Sequence, residues 1–367
     1  ALIASTVNSL LLEGTTNYSA FEIASFFDNE GAFVETSCTA DKASIIVHCL
    51  ERSIPLILPF LLEVIKTANF PQKEIDSYLT LKKQKLAVNL EKVAWVAKNE
   101  FMPQLIGKEH SYSWRVEIDD YDEVTRDNLI SFYEEYYTSS TYQIYISGKV
   151  SSRVLQAVHE VFGQEQINIT SEDTQLTTKV VDTQEFHVVE QDGAIQSAIR
   201  IGVETINRRH SDFPALFIVN TILGGYFGSR LMSNIREDKG YTYGIGSGVV
   251  HLKELSYFII STEVGVDVTQ ATLNEIELEM NNLQKEIVSN EELRLVKNYI
   301  LGNLMKGFDG SFSAMSRFKM LNHHGLDYSY YESLIREINE ITPERIQVIS
   351  NRYLNFSAFK KIIVGKL

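Results

Sequence analysis

Cationic residues are scarce in this chain: 34 Lys and Arg stand against 48 Asp and Glu, a formal charge of −14 over 367 residues. Neutralising a phosphate backbone takes clustered Lys and Arg, so this balance excludes a nucleic-acid partner, while an acidic surface suits basic peptides. Cysteine is scarcer still, with only Cys38 and Cys49. Two cysteines make no disulfide framework. They fall on the two strands of a hairpin turning at Ala40-Asp41-Lys42, in a register that sets Cys38 against residues near 43–45 and away from Cys49. Both read as small core residues. Long apolar runs are also missing. The most apolar stretch, Ile54 to Ile65, is interrupted by Pro59 and Glu63 and falls short of the ~20 residues that span a bilayer, so it reads as a buried helix. The eight histidines form no H-x-x-E-H or H-x-x-x-H pair, and the adjacent His323 and His324 cannot share one helix face. No charged-then-apolar leader opens the chain. Ala1-Leu2-Ile3-Ala4 begins inside what reads as a helix, which points to residues upstream.

What is present fits a folded protein of two domains, each of about 150–200 residues, with 44% hydrophobic and 22% charged residues. An internal repeat sets the division. Val124 to Val150 aligns without gaps on Ile341 to Leu367, matching Thr125/Thr342, Tyr136/Tyr353, Ser140/Ser357, Ile146/Ile363, Gly148/Gly365 and Lys149/Lys366. Each copy predicts a helix starting at its threonine and a terminal strand closing on Gly-Lys. A second echo joins Gln72-Lys73-Glu74-Ile75 to Asn290-Glu291-Glu292-Leu293, each opening a long helix. Two copies at this spacing mean a duplicated domain and not a solenoid, which needs at least about three short repeats. The polar segment near Gln164 to Gln184 carries no sustained period. The division is therefore residues 1–165, a linker at 166–184, and residues 185–367.

In the second half, Glu185–Glu190 and Ser197–Val203 read as strands, and Phe213–Leu223 as a buried helix capped by Ser211 or Asp212. A helix over Ser229–Lys239, strands over Tyr241–Val250 and Leu255–Val264, and two long helices around 268–288 and 290–306 precede the repeated helix and strand. Strands and helices thus come in blocks. The fold class is α+β: two duplicated α/β-sandwich domains with mostly antiparallel sheets and helices packed on one face.

The densest pattern is Gly224-Gly225-Tyr226-Phe227-Gly228-Ser229-Arg230, then Ile235-Arg236-Glu237-Asp238-Lys239-Gly240-Tyr241-Thr242-Tyr243. It reads as a helix stopped by paired glycines, a tight loop, a second helix with Arg236 on its last turn, a stop at Gly240 and a strand with Tyr243 just inside it. Along that strand Gly244, Gly246 and Gly248 share one face, which suits tight packing of a helix or another backbone. The pattern resembles the C-terminal-half signature of the pitrilysin/insulinase (mitochondrial processing peptidase-like) metallopeptidases, and the resemblance covers the whole chain. It implies that Arg236 and Tyr243 touch a peptide substrate. Arg236 would offer a rigid fork of donors to a carbonyl or carboxylate, and Tyr243 a phenol to the oxyanion formed at a scissile carbonyl. It also implies two sandwich domains facing each other like a clamshell.

In that family two histidines four residues apart bind zinc, with a glutamate between them over the metal-bound water. The motif runs into Gly-Thr and a second helix, a context supplied here by Gly14-Thr15 and Ser19-Ala20-Phe21-Glu22-Ile23-Ala24. Counting back from Gly14 puts Ser5, Asn8 and Ser9 at the three motif positions. Serine is a poor zinc ligand and asparagine cannot act as a base. Where the third ligand is expected, the helix after Phe70-Pro71 reads Lys82-Lys83-Gln84-Lys85, whose charge opposes a dication. The first helix is thus expected to be a packing element, through Thr6, Leu10 and Leu11, and this chain to hold no metal.

The resulting expectation is a zinc-less subunit that supplies Arg236 and Tyr243 to a site shared with a homologous zinc-bearing chain. The alternatives are a scaffolding relative without a peptidase role and, third, an autonomous metallopeptidase. Strand Ala32–Ser37 corresponds to the edge that receives peptide by β-augmentation in catalytic relatives. His110 matches a family loop and reads as structural. Tyr328, Tyr330 and Tyr331, with Tyr133, Tyr136 and Tyr137, suit core edges or an interface. Gly307 to Phe312 matches either a flexible family loop or a plain helix–helix connection.

Overall fold

The computed structural model describes residues 1–138, 142–163 and 185–367. The segment 166–184 and Ser140 lie outside the described residues. The described residues fall into two units, one within Ala1–Val88 and Arg115–Gln175, the other within Asn89–Trp114 and Leu176–Leu367. Residues 89–114 therefore join the second unit, although the repeat groups them with the N-terminal half.

The first unit is largely helical. Helix α1 (Leu2–Leu10) buries Val7 and Leu10, and α2 (Ala20–Asn29) opens on a capping box in which Ser19 and Glu22 each accept the other's backbone N–H. The apolar run forms α3 (Ile54–Thr67), which accommodates Pro59 and buries Ile57, Leu61, Val64 and Ile65. Helix α4 (Gln72–Leu90) follows Phe70, which is fully buried with a φ of 49°. That value is unusual for an aromatic residue and costs on the order of 1–3 kcal/mol. Three contacts hold it: Arg126 donates to Asn69 O at 2.7 Å and Phe70 O at 3.1 Å, and the Tyr133 ring meets Phe70 edge-on at 5.3 Å. Gly14 packs against the same corner, since a Cβ there would lie 2.6 Å from Pro71 Cγ.

Strands β1 (Phe33–Cys38) and β2 (Ala43–His48) form an antiparallel pair with Cys38 opposite Ala43, as the turn at Ala40–Lys42 predicts. Neither cysteine is a core residue, however. Cys38 is exposed and Cys49 half-buried, because the hairpin packs one face only and both positions lie at its margins. Helix α6 (Arg126–Tyr133) starts at Thr125 as the repeat predicts and runs into a π-helical turn, Glu134–Thr138; α7 (Ser152–Phe162) follows. The strand expected to close this copy is absent: residues 142–147 carry no strand pairing. Similarity to a strand-forming segment does not by itself make a strand, because its backbone groups need a paired neighbour.

The second unit carries a five-stranded sheet in the order β3-β7-β4-β6-β5. Its strands are β3 (Phe186–Glu190), β4 (Gln196–Glu204), β5 (Ile245–His251), β6 (Ser256–Gly265) and β7 (Lys360–Gly365). All pairings are antiparallel except β3 with β7. One face, bearing Ile199, Ile201, Phe258, Ile260, Val264 and Ile363, packs on α8 (Phe213–Gly224), which is buried on nearly every side. Helices α9 (Thr269–Lys285), α10 (Asn290–Lys306), α11 (Gly310–His323), α12 (Ser329–Glu340) and α13 (Pro343–Tyr353) complete that layer. The α10–α11 connection is a short helix–helix link over the stretch read as a family loop. On the opposite face, α5 (Val93–Ile106) sets Ala97, Phe101, Leu105 and Ile106 against Ala198, Ile362 and Val364. Gly202 permits this approach, since a Cβ there would lie 2.4 Å from Phe101 Cζ. No described helix is long and apolar enough to cross a membrane.

Neither Ser211 nor Asp212 caps α8 by its side chain. The Asp212 carboxylate instead accepts from Arg345 (2.7 Å), Arg352 (2.5 Å) and Tyr353 (2.9 Å), tying the start of α8 to α13. Burial pushes its pKa up, but these three hydrogen bonds outweigh burial and hold the carboxyl below its ordinary range.

Candidate functional site

Ser5, Asn8 and Ser9 all lie on α1, whose packing decides what they do. Ser5 Oγ turns back to donate to Leu2 O at 2.9 Å. Ser9 Oγ accepts from the phenol of Tyr78 on α4 at 3.1 Å, and Asn8 Oδ1 accepts from the phenol of Tyr137 at 3.0 Å. Asn8 is almost fully buried, and its Nδ2 has no partner among the described residues. Burial raises the pKa of Tyr137, with Cys38 and Tyr142 adding to the rise, so it stays a neutral donor. The α4 helix presents Lys82 over the Tyr78 ring at 4.9 Å and pairs Lys83 with Asp122. Neutral hydroxyls and an amide, flanked by ammonium groups, do not fit a zinc ion. Among the described residues, no group of three or more His, Cys, Asp or Glu gathers as a metal site. The partners of Ser9 and Asn8, Tyr78 and Tyr137, are distant in sequence, and nothing local links them to residues 8 and 9.

The second unit's loop is built differently. Helix α8 ends at Gly224, and Gly225 keeps an ordinary right-handed φ of −84°, so these glycines do not end the helix by a left-handed turn. They serve close approach: a Cβ at Gly224 would lie 2.6 Å from Ser247 N, and one at Gly225 2.7 Å from Thr221 Cα. The following helix is a π-helical segment, Met232–Asp238, anchored from below. Arg230 makes a two-pronged pair with Glu292, both contacts at 2.8 Å, and Asn234 donates to Glu275 and Glu279. Gly240, with φ +66°, lets the Tyr241 N–H reach back to Ile235 O at 3.0 Å.

On this frame the Arg236 guanidinium lies over the Phe227 ring, 4.5 Å from its centre. Among the described residues it makes no hydrogen bond or ion pair, so its donors stay unspent. Tyr243 does not lie inside the strand as expected. The strand β5 begins at Ile245, and Tyr243 precedes it with 95% of its surface exposed. Two threonines hold the turn that carries it. Thr242 Oγ1 lies 2.7 Å from Glu263 O and accepts from the Gly244 N–H at 3.0 Å, while Thr262 Oγ1 meets Thr242 Oγ1 at 2.9 Å. These bonds consume the backbone groups that would have extended β5. Of the three glycines read as sharing one strand face, only Gly246 lies against another backbone, where a Cβ would be 3.4 Å from Gly224 O; a Cβ at Gly244 or Gly248 would meet nothing within 4 Å. Tyr243 stands at the rim of a pocket of about 450 Å³ on that side of the sheet. Phe227 and Thr242, within the sequence pattern, and Thr262 on β6 support Arg236 and Tyr243. His110 is structural, as expected: its Nδ1 accepts from the Tyr112 N–H at 3.1 Å.

Two family models account for most of the chain, the insulinase (peptidase family M16) model over residues 3–129 and the peptidase M16 inactive-domain model over residues 123–300. The chain belongs to the M16 family. Among M16 relatives, an uncharacterized zinc protease of Bacillus subtilis, YmxG, is 24% identical over 94% of this chain and 83% of its own length. A second protein of the same bacterium, the probable inactive metalloprotease YmfF, is 28% identical over 50% of this chain and 43% of its own. The crystal structure of a peptidase M16 inactive domain from Pseudomonas fluorescens superposes with a TM-score of 0.83, at 21% identity, over 100% of this chain and 88% of that one. A protease structure from Helicobacter pylori gives a TM-score of 0.82 at 17% identity, covering 99% and 88%. This M16 chain therefore has the fold of the family and lacks the H-x-x-E-H motif.

Proposed function

We propose that this chain is the zinc-less subunit of a two-subunit M16 peptidase, supplying the Arg236/Tyr243 half of a shared active site. The observation that carries the reading is an asymmetry of use. Ser9 and Asn8 are taken up by the phenols of Tyr78 and Tyr137. Arg236 and Tyr243 are instead held in place by Phe227, Thr242 and Thr262 while their own polar ends stay free for a ligand. Unspent donors on a braced frame are what recognition of a peptide backbone requires. On this reading the metal belongs to a homologous partner chain. Arg236 holds the peptide through its forked N–H groups, and Tyr243 Oη donates as negative charge develops on the scissile carbonyl oxygen.

The test is co-expression with a homologue that carries an intact H-x-x-E-H. A stable heterodimer by size exclusion, burying at least about 1,000 Å², and peptide cleavage by the pair but not by this chain alone are the expected results. Separate elution at micromolar concentration, or about one tightly held zinc in this chain by elemental analysis, would sink the proposal. The scaffolding alternative predicts that assembly occurs and that Arg236 and Tyr243 leave turnover unaffected.

A further inference from the structure

The pocket beside Tyr243 has chemistry of its own. Its floor is the sheet face turned away from α8, where Arg200 of β4 sits opposite Ser261 of β6 and Ala198 opposite Glu263. Gln196 and Ala94 complete the wall. Arg200 is half-buried, yet among the described residues its guanidinium makes no hydrogen bond or ion pair. Burial lowers its pKa, and the electrostatic influence of Tyr257 and Glu263 offsets this only in part. A partly desolvated guanidinium without a partner is costly in a folded protein and becomes favourable when a carboxylate fills the space before it.

A second, independent feature points the same way. Ala94 lies in the first turn of α5, a helix of 14 residues whose N-terminus has no side-chain cap. The positive dipole end of α5 therefore lies beside the pocket that Arg200 floors. Glu263, exposed at the same pocket, limits the ligand. It disfavours a dianion and offers an acceptor to an N–H group close to the ligand's carboxylate. That combination describes a peptide and not inorganic phosphate. A volume of about 450 Å³ accommodates one or two residues.

We infer that this pocket is a subsite for a peptide carboxylate, bound by Arg200 with Glu263 accepting from a neighbouring peptide N–H, so that Tyr243 meets substrates bearing an acidic group nearby. The identity of the ligand as a peptide rests on the function proposed above; the preference for a carboxylate rests on the pocket alone. The carboxylate has two sources, an acidic side chain or a peptide's C-terminal end, and the experiment separates them.

The purified chain, without any partner, is titrated calorimetrically with three peptides. The first is end-blocked with a central Glu, the second is the same peptide with Gln, and the third is the Gln peptide with a free C-terminal carboxylate. One or both carboxylate-bearing peptides should bind about tenfold tighter than the blocked Gln peptide, as one charge-assisted bidentate contact predicts. Which of the two does so identifies the source. Arg200→Gln should abolish the preference, and Arg200→Lys should keep about a third of it because the charge remains without the fork. Millimolar phosphate should not compete. Equal binding of all three peptides, no binding of any, or a preference that survives in a folded Arg200→Gln chain overturns the inference. Because no turnover is read, the carboxylate preference can stand even if the shared-site proposal fails, and the reverse also holds.

Discussion

The first-unit helix α1 and the second-unit loop after α8 carry the two sets of residues that the sequence pattern singles out, and they use their hydrogen bonds in opposite ways. On α1 the polar side chains are consumed: Ser9 and Asn8 accept from Tyr78 and Tyr137, and Ser5 bonds its own helix. On the loop, hydrogen bonds are spent on the frame, through Thr242, Thr262, Arg230 and Asn234, while Arg236 and Tyr243 keep their polar ends open. The proposed function rests on this difference in where the hydrogen bonds go. Side chains that bond inward contribute to stability, whereas Arg236 and Tyr243 are braced with their donors unused by the protein.

The sharpest way to break this contrast is Tyr243→Phe in the heterodimer. Removing a donor used only as the oxyanion forms should lower kcat by about 10²–10³ with little change in KM. Arg236→Ala, which removes a contact made before and during the reaction, should raise KM as well. Full activity in both variants would leave α1 and the loop equivalent, as the scaffolding reading has it.

Next in size is Asp212→Ala. Loss of the acceptor for Arg345, Arg352 and Tyr353 should lower stability by about 2 kcal/mol, discounted because both guanidiniums are partly solvated. Denaturant titration of the second unit's transition checks this. Since the Asp212 carboxyl is held below its ordinary pKa in the fold, its contribution is full above that ordinary value and fades as pH falls below it.

Tyr137→Phe sharpens the contrast from the α1 side. Leaving Asn8 Oδ1 without its donor should cost about 1 kcal/mol and change neither kcat nor KM, whereas a kinetic defect would place α1 in the site.

The smallest effect at neutral pH concerns His251. Burial, with Arg208 and His324 adding to it, lowers its pKa to about 3, and its Nδ1 lies 2.8 Å from Ser256 Oγ. The unfolded chain takes up this proton near pH 6.5 and the folded chain does not, so the stabilisation is complete above about 6.5 and declines from there toward 3. Thermal melts of His251→Asn should lose that part of the acid slope; an unchanged slope would show that His251 titrates normally.

Much of this was legible in the sequence because it is local. The threonine starts of α6 and α13, the π-helical segment bearing Arg236, the turn between β1 and β2 and the identity of residues 5, 8 and 9 all follow from neighbours in sequence. What escaped depends on distant partners. The Tyr137–Asn8 bond joins residues 129 apart, and only the fold brings Arg200, Ala94 and Ser261 to one pocket. The repeat misled where pairing was needed. Residues 142–147 align with β7 in the repeat, but among the described residues only β7 found strands on both sides.

The helix α5 adds a consequence for synthesis and dissection of the chain. It is made before every strand of the sheet it covers, and the bond from Gln191 to Glu91 O closes a separation of 100 residues. Contacts of such separation form late, after a costly loop closure, so the second unit cannot finish folding around residues 185–367 alone. A fragment cut at the apparent repeat boundary would leave Ala198, Gly202, Ile362 and Val364 bare to water along one sheet face. The duplicated halves are thus separable as sequences and interleaved as folding units, and a usable truncation would have to carry residues 89–114 with it.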